Sequence, residues 1–174
     1  MRSCPEYNRQ EERFIMKNYM KLEIAALGEN EGFARSAVAA FALCLNPSLS
    51  ELSDIKTAVS EAVTNCIVHA YKRRSEQDKI WIECRTEENA EGGTLHITVT
   101  DDGCGIEDVD KAMQPFYTTL ENDERSGMGF TIMQTFMDGF SLDSSKEKGT
   151  KISMFRRIHA APLGKDEIKE RIDA

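Results

Sequence analysis

Glu61 and Asn65 pair a carboxylate with an amide four residues apart. They lie within an apolar pattern at helical spacing, so both head groups are on one face of a predicted helix and can meet one ligand. An amide oxygen is a hard ligand suited to Mg²⁺, and a carboxylate can orient a water or accept a proton from a hydroxyl group. Because solvated helix faces carry the same residues, the pair alone is a weak signal.

A glycine-rich turn follows a predicted strand. The turn Asp101-Asp102-Gly103-Cys104-Gly105 fits the pattern D-x-G-x-G, and its glycines let backbone approach a ligand closely. An ionised Asp101 only accepts hydrogen bonds, which suits the exocyclic amino group of adenine better than the carbonyl of guanine. Acidic glycine turns are also common in ordinary loops, so the wider context has to decide.

A second glycine motif, Ser126-Gly127-Met128-Gly129, begins a predicted apolar helix over 130–138. Backbone N–H groups at a helix start, together with the helix dipole, favour phosphate. Arg125 precedes the motif as a candidate phosphate or partner contact. Gly149-Thr150 opens the last predicted strand and by itself is typical of an ordinary hairpin.

The surrounding pattern predicts mixed helices and mostly antiparallel strands. Period-two alternation predicts strands near 19–26, 80–85, 94–100, 139–144 and 150–157, with a polar turn from Glu87 to Gly93. Helical spacing predicts helices over 31–45, from a cap at Ser53 or Ser50 to about Tyr71, near 107–113 and over 130–138. The irregular stretch from Asp101 to Gly129 is typical of a functional segment, and 114–126 is predicted to close as a lid.

Composition argues against several classes of function. A net charge of -8 would repel a phosphate backbone, so no direct nucleic-acid partner is expected. The five cysteines include no C-x-x-C pair, which argues against a disulfide framework and a zinc site. No apolar run approaches the roughly 20 residues that span a bilayer. Met1 to Gln10 lacks the apolar region of a secretory signal, so we expect a cytoplasmic protein.

One domain is predicted over residues 16–158, because single domains commonly run about 100–200 residues. Residues 1–15 form an N-terminal extension, read as a disordered segment or an alternative start. Residues 159–174 form a charged C-terminal tail.

The order of the motifs resembles that of the GHKL, or Bergerat-fold, superfamily of ATPases and kinases. Within it, the stretches 60–65 and 124–133 are similar to the anti-sigma factors of spore-forming bacteria. The resemblance implies an α+β fold, a two-layer α/β sandwich with a mixed, mostly antiparallel sheet and helices on one face.

The resemblance also implies roles for single residues. Asn65 would be the Mg²⁺ ligand, Glu61 the general base and Asp101 the residue that reads adenine. Arg35 and Arg125 match positions associated with partner contacts. The implied nucleotide-pocket positions are Gly103, Gly105, Arg125, Ser126, Gly127, Met128, Gly129 and Thr150.

The implied function is a homodimeric, ATP-dependent and magnesium-dependent serine kinase that binds ATP and ADP. Its partners would be a sporulation sigma factor, which it inhibits, and an anti-anti-sigma protein, which it phosphorylates on serine. Two alternatives remain open: a nucleotide-gated sigma-binding module without transfer, and a histidine-kinase-type catalytic domain. His69 is read as a packed or surface residue rather than a phosphate acceptor.

Overall fold

The structure is a computed structural model that describes residues 17–71, 75, 77–89, 92–116 and 127–159. The predicted extension, nearly all of the predicted tail and most of the predicted lid lie outside the described residues. The domain boundaries therefore stay predictions.

The described residues contain one antiparallel sheet. Its strands are β1 (Lys17–Ala25), β2 (Lys79–Asn89), β3 (Gly92–Asp101), β4 (Gly139–Ser144) and β5 (Thr150–His159). Their order across the sheet is β1-β2-β3-β5-β4, and every pairing is antiparallel. The register places Asp101 at the end of β3 opposite Thr150 at the start of β5. Two of the predicted motifs therefore meet at one end of the sheet.

The hairpin is longer than its sequence predicts. Glu87 pairs with Thr94 and Asn89 with Gly92, so the predicted turn from Glu87 to Gly93 is wrong at both ends. Gly93 lies close to the helical layer, because an added Cβ there would lie 2.5 Å from a methyl carbon of Leu45. Close approach of this glycine therefore lets the far end of the hairpin pack against the helical layer.

The helices are α1 (Glu29–Ala42), α2 (Leu49–Asn65), α3 (Val109–Ala112) and α4 (Gly129–Phe136). A 3₁₀ turn, Leu43–Leu45, follows α1, and a π turn, Cys66–Ala70, extends α2. None of the helices in the described ranges is long and apolar enough to cross a membrane.

The predicted cap of α2 is wrong. Ser48, and neither Ser50 nor Ser53, caps the helix: its hydroxyl accepts the Glu51 N–H, and the Glu51 side chain accepts the Ser48 N–H. This reciprocal capping box satisfies two backbone donors, which a serine farther into the first turn cannot do.

The helices pack on one face of the sheet and enclose a single core. Alternate side chains of the hairpin point into it, and α2 lies between α1 and α4. Each fully buried aliphatic side chain contributes about 1.5–3 kcal/mol relative to exposure. The two-layer α/β sandwich that the resemblance implied is confirmed. The largest fully buried side chains include Ile55, Val59, Val63, Ile80, Ile82, Leu95, Ile97, Val99 and Met133.

Candidate functional site

A cavity of about 880 Å³ opens where the end of α2, the loop after β3, the start of α4 and the start of β5 meet. These four segments carry the four predicted motifs, so one wall of the cavity comes from each. The predicted site residues that line it are Glu61, Asn65, Asp101, Gly105, Gly127, Met128, Gly129 and Thr150.

The first end of the cavity, here called the α4 end, consists of Glu61, Asn65 and residues 127–129. A Cβ added to Gly129 would lie 3.0 Å from Glu61 Oε2 and 3.4 Å from Asn65 Oδ1. The start of α4 therefore packs closely against both side chains, and a larger residue at 129 would require them to shift. Met128 caps α4 without a side-chain hydrogen bond, which leaves the N–H groups of the first turn without a capping side chain.

The opposite end, here called the Asp101 end, consists of Asp101, Gly105, Thr150 and Cys66. Asp101 is 4% exposed. Its Oδ1 accepts the N–H of Gly103 at 3.0 Å and the N–H of Thr150 at 3.2 Å. Burial raises the pKa of the Asp101 carboxyl, while these two N–H groups and the Cys66 thiol favour its ionised form. The carboxylate is thus held in place by two elements.

Two positions near Asp101 require glycine, because a side chain there would clash with the backbone and because φ is positive. At Gly149, where φ is +76°, an added Cβ would lie 2.0 Å from the Asp101 carbonyl oxygen. At Gly105, where φ is +64°, it would lie 2.0 Å from the Ser145 carbonyl oxygen. Side chains at either position would separate the loop after β3 from the β4–β5 turn.

The structure separates the two predicted glycines of the D-x-G-x-G turn. Gly105 lines the cavity, but Gly103 does not. An added Cβ at Gly103 would lie 2.3 Å from the Ala70 carbonyl oxygen, so this glycine packs the turn against the end of α2. The Cys104 N–H donates to the same carbonyl at 2.7 Å. Gly103 was predicted to line the pocket. It instead supports the pocket by letting the turn pack against Ala70.

Several further residues line the cavity and were not predicted to do so, among them Cys66, His69 and Lys111. The motifs do not include Cys66, and the sequence predicted His69 to be a packed or surface residue. His69 comes four residues after Asn65, so helical spacing could have placed it on the same face. Lys111 lies on α3, which is capped by Asp108. No sequence periodicity reveals Lys111, because the path of the loop after β3 is set by tertiary contacts.

The two predicted partner contacts are not part of the described cavity. Arg35 lies on α1, where its guanidinium pairs with Glu31 at 3.1 Å, and Glu31 accepts the Ser60 hydroxyl at 2.5 Å. Arg125, like Ser126, lies outside the described residues. The Phe116 N–H donates to the Gly127 carbonyl at 3.1 Å, which joins the residues on either side of 117–126.

The side-chain oxygen atoms in the cavity suit a cation that a bound ligand also coordinates better than a cation coordinated by protein atoms alone. Among the described residues, no group of three or more His, Cys, Asp and Glu side chains could hold a metal ion. Asn65 and Glu61 supply oxygen atoms from one helix face. Mg²⁺ commonly takes one or two protein oxygens and completes its shell with waters and phosphate oxygens, and this donor set fits that pattern.

Comparison with known proteins agrees with this geometry. A family model described as the histidine kinase-like ATPase domain matches residues 24–156. The chain belongs to this family. An ATPase domain implies that the chain binds a nucleotide, and the GHKL resemblance seen in the motifs is confirmed.

The similarity to curated relatives covers most of each chain. An anti-sigma F factor of Clostridium botulinum (strain Eklund 17B / Type B) is 50% identical over 145 residues, which are 83% of this chain and 98% of the relative. The anti-sigma F factor of Bacillus subtilis (strain 168) is 48% identical over 143 residues, 82% of this chain and 94% of the relative. The predicted likeness to sporulation anti-sigma factors is confirmed.

A solved structure shows the same fold at low sequence identity. The crystal structure of the RsbU and RsbW domains of Rv1364c from Mycobacterium tuberculosis matches with a TM-score of 0.55 and 16% identity. The match covers 83% of this chain and 33% of that one.

Proposed function

We propose that this chain is an ATP-dependent protein-serine kinase that also binds and inhibits a sporulation sigma factor. The observation that carries the proposal is the placement of Glu61 and Asn65 against the start of α4, in the same cavity as the buried Asp101. The relatives named anti-sigma F factors supply the sigma-factor half of the proposal.

The Asp101 end binds the adenine base. The Asp101 carboxylate accepts a hydrogen bond from the exocyclic amino group, which guanine lacks at the corresponding position. Since two backbone N–H groups already bind Oδ1, the carboxylate is oriented before the base arrives. Preorganisation of this kind lowers the entropy cost of binding.

The α4 end binds the phosphates of ATP or ADP. The uncapped N–H groups of α4 and the positive end of its dipole face this part of the cavity. Asn65 would hold Mg²⁺ through its amide oxygen. When bound, this ion neutralises charge on the phosphates. Lys111 adds a cation to the cavity wall.

Transfer needs one base and an aligned acceptor. The serine hydroxyl oxygen of the substrate attacks the γ-phosphorus, the bond between that phosphorus and the oxygen of ADP breaks, and the hydroxyl proton moves to the Glu61 carboxylate. Most of the rate enhancement comes from positioning and charge stabilisation, as is general for phosphoryl transfer.

The proposed partners are proteins. Arg35 on α1 and Arg125 contact the sigma factor and the anti-anti-sigma protein, and the kinase works as a homodimer in the cytoplasm.

Arg35→Ala should weaken sigma-factor binding, whereas Lys56→Ala on the exposed face of α2 should not. Affinities measured by titration calorimetry check this difference, and equal affinities for the two variants would remove Arg35 from the interface.

Transfer of labelled γ-phosphate from Mg-ATP to an anti-anti-sigma protein tests the kinase. We expect acid-stable phosphoserine with the wild-type chain and none with Asn65→Ala. Acid-labile label would instead identify a histidine-kinase-type domain. No label at saturating ATP, with tight sigma-factor binding, would identify a nucleotide-gated module and overturn the kinase proposal.

A further inference from the structure

Ser144, the last residue of β4, uses the whole hydrogen-bonding capacity of its hydroxyl group beside the Asp101 end of the cavity. It does not line the cavity itself. Its Oγ accepts the Ile106 N–H at 2.9 Å, from the loop after β3, and donates to the Gly149 carbonyl oxygen at 2.8 Å. The Thr150 Oγ1 lies 3.0 Å from the same Ser144 oxygen. One side chain therefore joins β4 to two segments that carry cavity-lining residues, Ile106 and Thr150.

The direction of these hydrogen bonds follows from which groups can donate. A hydroxyl group has one proton and two lone pairs. The Gly149 carbonyl can only accept, so it takes the Ser144 proton, and the Ile106 N–H can only donate, so it takes one Ser144 lone pair. The Thr150 hydroxyl then donates to the second lone pair. Because it has given its one proton to Ser144, the Thr150 oxygen can only accept a hydrogen bond from any further group.

Thr150 and Asp101 belong to the same wall of the cavity. They lie opposite each other in the register of β3 and β5, and the Thr150 N–H donates to Asp101 Oδ1 at 3.2 Å. An ionised carboxylate and a hydroxyl oxygen, both able only to accept, are therefore neighbours here. The exocyclic amino group of adenine has two N–H bonds and matches a pair of acceptors. The guanine carbonyl at the corresponding position is itself an acceptor and finds no donor at Thr150.

We propose that Ser144 is a positioning residue, which holds the Thr150 hydroxyl proton away from the ligand and makes Thr150 a second acceptor for the exocyclic amino group of the base. The inference rests on the nucleotide site proposed above and adds a determinant of base specificity to it. Without the Ser144 hydroxyl, the Thr150 hydroxyl can rotate and present its proton to the cavity. A donor at that position would favour a carbonyl group over an amino group.

Matched substitutions on β4 isolate the Ser144 hydroxyl. Ser144→Ala removes it and Ser144→Thr keeps it. Ser141→Ala is the control, because Ser141 is exposed on the same strand and does not line the cavity. Two triphosphates are titrated into each variant with Mg²⁺ present: ATP, and purine riboside triphosphate, in which a hydrogen atom replaces the exocyclic amino group. The ratio of the two affinities measures recognition of the amino group, because the two ligands have the same ribose and phosphates.

We expect Ser144→Ala to lower this affinity ratio roughly three- to tenfold, the range of one neutral hydrogen bond, while Ser144→Thr and Ser141→Ala keep the wild-type ratio. Thr150→Val provides a second test, because it removes the hydroxyl group through which Ser144 acts. It should lower the ratio by itself. Adding Ser144→Ala to Thr150→Val should then cause no further fall in the ratio, the result that a double-mutant cycle gives for two residues that act as one unit.

A purely structural role for Ser144 gives a different result. It would lower the melting temperature and weaken both triphosphates by the same factor. An unchanged ratio in Ser144→Ala, an equal fall in the alanine and threonine variants, or a further fall in the Thr150→Val background would overturn the inference and leave the nucleotide site in place. If the wild-type chain bound neither triphosphate, the nucleotide site and the inference would both be overturned.

Discussion

At the Asp101 end of the cavity, backbone N–H groups from two elements hold the Asp101 side chain. At the α4 end, the N-cap residue Met128 makes no side-chain hydrogen bond to the backbone donors, within the part of the chain that the structure describes. The first end is the one proposed above to select a base by shape and hydrogen bonding. The second end leaves the N–H groups at the start of α4 as donors for an anion. In the proposed function, the Asp101 end therefore determines base specificity, and the α4 end carries out phosphate transfer.

The largest expected effect is a loss of phosphate transfer, caused by a substitution at the α4 end alone. Glu61→Gln should slow phosphate transfer by roughly 10²- to 10⁴-fold, because a general base contributes about that much. ATP affinity should change little, since the base acts on the substrate hydroxyl. Single-turnover transfer and calorimetry measure the two quantities, and Glu83→Gln on the open face of the sheet is the control. Normal transfer by Glu61→Gln would assign the base elsewhere.

The next effect is on stability, and it tests whether the backbone around Asp101 is rigid. Gly149→Ala should lower the free energy of unfolding by about 2–4 kcal/mol, because the new Cβ meets the Asp101 carbonyl at a positive φ. Gly28→Ala is the matched control, since an added Cβ there meets nothing within 4 Å and φ is -56°. Urea unfolding gives both values. Equal stability of the two variants would mean that this end relaxes easily.

A smaller effect, on ATP and GTP affinity, tests whether Asp101 determines the preference for adenine. Asp101→Asn should weaken ATP binding by roughly 10- to 100-fold, the range for a hydrogen bond to a charged group. GTP binding should weaken less, because guanine offers no amino group at that position. Asp102→Asn, the exposed neighbour outside the cavity, should keep the preference for ATP. An unchanged preference in Asp101→Asn would show that another group reads the base.

The smallest effect is a pH dependence with opposite signs for binding and stability. Because burial raises the pKa of Asp101, its carboxyl binds a proton more readily in the folded chain than in the unfolded chain. Its contribution to stability is full below the unfolded pKa and is lost as pH rises through the folded pKa. ATP affinity, which needs the carboxylate, falls as pH drops through the same window. Asp101→Asn should remove both trends, as unfolding and binding series would show.

Much of this arrangement could be predicted from the sequence, because local spacing determines which residues share a helix face or end a strand. Glu61 and Asn65 are four residues apart, and Asp101 closes an alternating strand, so both were found. The contact of Gly103 with Ala70 and the entry of Lys111 into the cavity depend on how distant segments pack, which no local spacing shows. Ser48 was missed although its partner Glu51 lies three residues on, the spacing of a capping box.

Titration of ATP and AMP into the wild-type chain, Asp101→Asn and Asn65→Ala, each with Mg²⁺ present, tests the central claim most directly. AMP lacks the β- and γ-phosphates, which the α4 end is proposed to bind together with Mg²⁺. Asp101→Asn should therefore weaken ATP and AMP by the same factor, while Asn65→Ala should weaken ATP and leave AMP nearly unchanged. If Asn65→Ala weakened AMP as much as ATP, the two ends would not divide base from phosphates, and the account would be contradicted.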